Sequence, residues 1–181
     1  MATTTAHEEI KRRIRTIPDF PKPGIMFRDI TTLLLDAEGL KLTVDAMVAA
    51  TDGPVDLVAG IEARGFLFAA AIAVPLNAGV VLIRKDGKLP GVTIAEDYVL
   101  EYGIDRITMH EDALVPGQRV LLVDDLIATG GTARAAIRLL RKAGAHVTQA
   151  QFVVDLPELG GADALRSDDV QVDALVAFEG H

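Results

Sequence analysis

Four apolar runs, VDLVAGI (55–61), GVVLIR (79–84), RVLLVDD (119–125) and HVTQAQFVVDL (146–156), punctuate the sequence and alternate with stretches of helical character. Runs this continuously apolar suit strands covered on both faces. Helices between successive strands supply the crossover that parallel pairing needs. The expected fold is therefore α/β, a parallel sheet with helices on both sides.

The helical segments have readable limits. One is expected from Ala37 to Ala50, with Leu40, Val44, Met47 and Val48 on one face and Gly53-Pro54 ending it. Others are expected from Gly65 to Val74, broken at Pro75, and from Gly131 to Ala143, stopped by Gly144. Near the start, Ile10, Ile14 and Ile17 recur at helical spacing, Thr5 and Glu8 fit a capping box, and Pro18 ends the run. The segment PDFPKPG (18–24) holds three prolines, so residues 25–32 are expected to open as an ordered arm and not as a central strand. Residues 85–118, with the alternating segments YVLEYG and DRITMHE, predict an antiparallel excursion between the runs at 79–84 and 119–125.

With 181 residues the chain is long enough to bury roughly 70% of its unfolded surface as one domain. It has no cysteine, so disulfides, thiolate chemistry and Cys-ligated zinc are excluded, and a reducing cytoplasm suits it. Residues 1–15 lack a signal-peptide core and 65–74 is too short to span a bilayer, so neither secretion nor membrane insertion is expected. A net charge of −8 argues against nucleic acid as a partner. Residues 155–181 carry seven acids against Arg166, so most of that excess lies in the tail. The segment 82–91 is instead locally basic through Arg84, Lys85 and Lys88, which fits either a small-anion loop or a solvated one.

In open α/β sheets ligands bind beyond the carboxyl ends of the strands, and two of these ends are chemically unusual. RVLLVDDLIATGGTA (119–133) places Asp124 and Asp125 after a buried strand, where carboxylates can meet a polyhydroxyl ligand or a cation. The loop Ala128-Thr129-Gly130-Gly131-Thr132 then opens a helix whose free N–H groups suit a phosphate. AGIEARGF (59–66) places Glu62 and Arg64 at another strand end. Other phosphate motifs are missing: there is no G-x-x-x-x-G-K-[ST], and no two of the 16 glycines stand one residue apart as G-x-G-x-x-G requires. His7, His110, His146 and His181 lack metal-ligand spacing, and the basic residues at 134–142 are expected on the solvated face of their helix.

The string VDDLIATGGT (123–132) resembles the phosphoribosyl-diphosphate signature of the type I phosphoribosyltransferase family. PDFPKPGIMFRDIT (18–31), GIEARGFLF (60–68), VLIRKDGKLPG (81–91) and LEYG (100–103) look like the adenine-using members, over about residues 8–155. The resemblance implies a single domain over 1–181 with the type I fold, an N-terminal hood arm over 1–35 and a flexible antiparallel lid over 85–118. It implies transfer of the phosphoribosyl group from phosphoribosyl diphosphate to adenine, giving AMP and diphosphate. Alternatives are another purine base, or a non-catalytic sensor of phosphoribosyl diphosphate.

Each motif then acquires an implied task. Residues 128–132 would hold the 5-phosphate, and Asp124 and Asp125 would bind the ribose hydroxyls and favour the positive charge growing on the sugar. Diphosphate leaves well only when neutralised, so Mg²⁺ is expected, held mainly by diphosphate and ribose hydroxyls, with Arg64, Lys85 and Lys88 assisting. Glu62 and Ala63 would bind through backbone amides, with a cis bond between them. The backbone of Met26 and Arg28 would read the base beside Phe27, although Met26 and Phe27 also fit ordinary core anchors. Glu101 would take up the proton lost from adenine. Tyr102 would fasten the lid or serve only in packing. A homodimer is expected from the family.

Overall fold

The computed structural model describes residues 2–100 and 103–180. Its centre is a seven-stranded sheet in the order β5-β6-β4-β3-β7-β8-β9, built from β3 (Leu57–Ile61), β4 (Gly79–Lys85), β5 (Thr93–Leu100), β6 (Gly103–His110), β7 (Arg119–Ile127), β8 (His146–Asp155) and β9 (Gln171–Ala177). The four pairings from β4 through β9 are parallel; the apolar runs predict the three that join β4, β3, β7 and β8, and β9 adds a fourth at the edge that they do not. The excursion is the antiparallel pair β5–β6, and it joins the sheet only where Arg84 and Lys85 of β4 face Thr108 and Ile107. Its strands thereby stand as a wall at the carboxyl end of β4.

Helices cover both faces. On one side α1 (Ala2–Arg12), α3 (Ala37–Ala50) and α4 (Gly65–Leu76) close a core containing Ile10, Met47, Phe68, Ile72 and Val123. On the other, α5 (Gly131–Lys142) and α6 (Gly161–Arg166) pack over Leu122, Ile137, Leu140, Phe152 and Leu165. Burying a side chain of this size contributes about 1.5–3 kcal/mol, so the two apolar faces dominate the stability.

Several local expectations change. α1 begins at Ala2, so Thr5 lies inside the helix and not at its cap; it ends at Arg12, and Ile17 belongs to β1 (Arg15–Pro18). β1 pairs antiparallel with β2 (Met26–Asp29) as a separate two-stranded ribbon, and α2 (Thr31–Leu35) follows. Backbone pairing with β2 outweighs a helical spacing that only three isoleucines support. In α3 the most buried line is Gly39, Thr43 and Met47, with Leu40, Val44 and Val48 partly buried beside it. Pro75 falls within α4, which runs on to Leu76 before Asn77 stops it in a left-handed conformation.

The basic face of α5 is paired and not merely solvated. Arg134 donates to Asp168 at 2.7 and 3.0 Å, Arg141 to the carbonyl of Val147 at 2.9 Å, and Arg138 to Glu96 of β5 at 2.8 Å. These bonds use part of the acidic tail, and they tie α5 to both α6's flank and the β5–β6 pair.

Candidate active site

β3, β4 and β7 deliver their carboxyl ends to one cavity of about 420 Å³, within the range of small-molecule sites. It gathers Glu62, Ala63, Arg64, Lys85, Asp124, Asp125 and the whole loop from Ala128 to Thr132. The Glu62–Ala63 bond is cis. Lys88 is exposed and does not line the cavity; its carbonyl accepts from Arg84 at 2.9 Å. Glu101 and Tyr102 lie outside the described residues.

The charged groups stand in pairs. Arg64 Nε donates to the Asp125 carboxylate, whose residue is only 4% exposed. Glu62 accepts from Arg84 at 3.1 and 3.2 Å and from the Lys85 backbone N–H at 3.0 Å, and these contacts hold its carboxyl below the usual range. Lys85 Nζ lies 3.2 Å from Asp105, which raises the lysine's pKa. Asp124 differs: burial, and then the Asp125 carboxylate beside it, push its carboxyl well above the usual value. Its Oδ1 accepts the Asp125 N–H at 2.8 Å.

The loop owes its shape to close backbone packing. Gly130 adopts φ +80°, a left-handed conformation in which a side chain is strained, immediately before α5. Ala128 O accepts the Gly161 N–H at 3.0 Å, so the start of α6 braces the loop from beneath. From the β5–β6 wall, Tyr98 donates to Asp105 at 3.0 Å and also hydrogen-bonds Thr132, while burial raises its pKa. Tyr98, Asp105 and Gly161 were missed by motif reading. For the first two the sequence signal is the alternation of YVLEYG and DRITMHE, which begin at Tyr98 and Asp105; the β5–β6 register sets those two residues opposite each other.

A second cavity of about 310 Å³ adjoins through Arg64. Ile17, Phe20, Phe27 and residues 28–31 line the rest of it, while Met26 is 38% exposed and outside that lining. The rings of Phe20 and Phe27 meet edge to face with centroids 5.1 Å apart, and the Arg64 guanidinium lies 5.9 Å from the Phe27 centroid. A polar cavity with a phosphate-type loop and an aromatic-walled one thus share a single cation.

Among the described residues no three His, Asp or Glu side chains converge as a metal cage, and no helix is long and apolar enough to cross a membrane. Two carboxylates beside an open cavity nevertheless suit Mg²⁺ carried largely by the phosphate oxygens of a ligand.

Comparison with known proteins agrees with this architecture. Residues 40–178 match the family model for the phosphoribosyl transferase domain. An adenine phosphoribosyltransferase of Bradyrhizobium sp. is 60% identical over 96% of this chain and 97% of its own. The crystal structure of the Rhodothermus marinus adenine phosphoribosyltransferase superposes with a TM-score of 0.91 at 47% identity, covering 97% of this chain and 99% of that one. The Saccharomyces cerevisiae enzyme, crystallised with adenine and an imino-altritol bisphosphate, gives 0.89 at 34% identity over 96% and 99%. With both its fold and its sequence matched over nearly the whole length, the chain belongs to the phosphoribosyl transferase domain family, among the adenine phosphoribosyltransferases.

Proposed function

We propose that this chain transfers the 5-phosphoribosyl group of phosphoribosyl diphosphate to adenine, forming AMP and diphosphate for purine salvage. The observation that carries the reading is the junction of the two cavities at Arg64, which can set a flat base against a phosphorylated sugar. The solved relative from Saccharomyces cerevisiae, with adenine and a bisphosphate bound together, supports it.

The loop 128–132 holds the 5-phosphate with backbone N–H groups and the Thr129 and Thr132 hydroxyls. Asp124 and Asp125 accept hydrogen bonds from the ribose hydroxyls. As the bond from the anomeric carbon to diphosphate lengthens, positive charge grows on the sugar and these carboxylates stabilise it. Arg64 follows the charge that collects on diphosphate, and Lys85 and Lys88 approach from the basic segment. Asp124 and Asp125 stand where they would help hold Mg²⁺, which when bound would supply positive charge against the same diphosphate. A nitrogen of adenine attacks the anomeric carbon from the second cavity, and Glu101 takes the proton that adenine loses. The backbone of Met26 and Arg28 meets the base edge, with Phe27 against the ring. Ala63 contributes its backbone amide, whereas the Glu62 N–H, expected to do the same, is spent on the Ile83 carbonyl at 2.9 Å; residues 85–118, including Tyr102, close over the site and exclude water.

We further propose a homodimer formed through the exposed apolar side chains Leu67 and Val74 of α4 and Val80 and Leu82 of β4. A reducing cytoplasm suits the cysteine-free sequence. The test is diphosphate release with Mg²⁺ and phosphoribosyl diphosphate, one base at a time. Release with adenine alone, lost in Asp124→Asn/Asp125→Asn, is expected. Release with hypoxanthine or guanine instead would overturn the base assignment, and none with any base would overturn catalysis.

A further inference from the structure

Residues 178–180 follow β9 and line neither cavity. They nonetheless reach the arm. Arg28 Nη2 donates to the Glu179 carbonyl at 2.7 Å, a bond between residues 151 positions apart, and the guanidinium carbon lies 4.7 Å from the Phe178 ring centroid. Lys11 Nζ lies 5.0 Å from that same centroid. Arg28 is 9% exposed, and its remaining anchor is Nη1 donating to Thr16 Oγ1 at 2.6 Å within the ribbon itself. The tail is in turn fastened to the end of β8, where the Phe178 N–H donates to Asp155 O at 3.0 Å, and to the turn after it, where the Gly180 N–H donates to Glu158 at 3.2 Å.

Phe27 meets Phe20 at the second cavity, and its neighbour Arg28, which also borders that cavity, carries its guanidinium to the tail. The β1–β2 ribbon pairs only with itself, and a two-stranded ribbon is marginal without packing behind it. A cation stacked on an aromatic face and bonded to a carbonyl is a directional anchor for such a ribbon.

We propose that Phe178–Gly180 is a positioning element for adenine: by seating the Arg28 guanidinium it sets where the backbone of β2 stands beside Arg64. This rests on the reading that the backbone of residues 26–28 meets the base. The tail touches neither substrate and acts through Arg28 alone.

Steady-state kinetics with Phe178→Leu, Phe178→Tyr and a chain stopped after Ala177 test the proposal, each variant checked for an intact thermal transition. Phe178→Leu and the shortened chain should raise the KM for adenine about tenfold, with the KM for phosphoribosyl diphosphate and kcat within about twofold. Phe178→Tyr keeps the aromatic face and should restore the adenine KM. If the shortened chain does not fold, Phe178→Leu decides. An unchanged adenine KM in Phe178→Leu, or equal increases in both KM values, overturns the positioning role. Phe27→Ala, measured in parallel, separates this from the underlying reading: a raised adenine KM there leaves the base site standing even when the tail's role fails. An unchanged one overturns the base site and the tail's role with it.

Discussion

Replacing Gly161 by alanine sets two well-defined effects against each other. By backbone arithmetic the change should help: Gly161 opens α6 without a left-handed φ, and Gly→Ala at a compatible position stabilises by about 0.4–1 kcal/mol through the unfolded chain. The packing says otherwise. A Cβ there would lie 2.2 Å from Ala128 O and 2.7 Å from Gly130 N, both backbone atoms of the phosphate-type loop. An ordinary carbon–oxygen contact is about 3.3 Å, so the loop or α6 must retreat by about 1 Å. Overpacking of this kind costs about 1–3 kcal/mol, and the Gly161–Ala128 hydrogen bond, worth about 1 kcal/mol, is strained as well. The net expectation is a loss of about 1–3 kcal/mol, which lowers Tm by roughly 2–10 °C in a chain of this length. Misplacing a binding loop by about 1 Å can cost about 100-fold in rate. Gly161→Ala should therefore raise the KM for phosphoribosyl diphosphate at least about tenfold and leave that for adenine nearly unchanged. Gly160→Ala is the control: it has φ +72° and nothing within 4 Å, so it should lower Tm through backbone strain without shifting the loop. A Gly161→Ala protein with raised Tm and an unaltered KM for phosphoribosyl diphosphate would refute the argument.

Asp124→Asn should raise Tm at neutral pH while lowering kcat at least about tenfold, because it removes a carboxylate whose charged form is opposed by burial and by Asp125. The folded carboxyl keeps its proton to a higher pH than the unfolded one, so it lowers stability as pH rises from about 3.8 through the raised value; denaturation across that range should show this downward contribution lost in the variant relative to the parent. Asp29 behaves oppositely, held down to about 2 by the Thr31 hydroxyl, by Arg15 and by the Thr31 N–H. Its contribution is complete above the unfolded value of 3.8 and lost as pH falls through about 2, so the protection of the β1–β2 amides, taken relative to free-peptide exchange at each pH, should fall across that window, and much less so in Asp29→Asn.

The legible parts of this molecule were those that local chemistry dictates. VLLV reads as a doubly covered strand because no polar side chain interrupts it before Asp124, and A-T-G-G-T reads as a turn into a helix because Gly130 must take a left-handed φ there. Once a strand and the loop after it were located, the rule that ligands sit beyond the carboxyl ends placed Asp124, Asp125 and residues 128–132 together. Arg134–Asp168 and Arg28–Glu179 were illegible because their partners lie 34 and 151 positions apart, and no periodicity encodes such distances. The tail was read only as acidic, although Val172, Leu175 and Val176 are buried in β9. Asp173 between them hid the pattern, yet its carboxylate accepts from Gln149 at 2.7 Å, so one polar residue there is paired and not misplaced.

The pairing of charges in the main cavity also bears on which ligands it accepts. Arg64 is engaged by Asp125, and Lys85 by Asp105, before any anion arrives. A ligand with phosphates alone would draw Arg64 away and leave the nearly buried Asp125 carboxylate without its cation, a loss that offsets much of the gain. A ligand with hydroxyls alone would bond the carboxylates and offer nothing to the cations they hold. On the proposed reading, phosphoribosyl diphosphate brings hydroxyls and phosphates on one molecule, so the acids and the bases can exchange partners together. Selectivity then lies in the difference between completing both exchanges and completing one, which requires no net positive field and is compatible with a chain whose formal charge is −8.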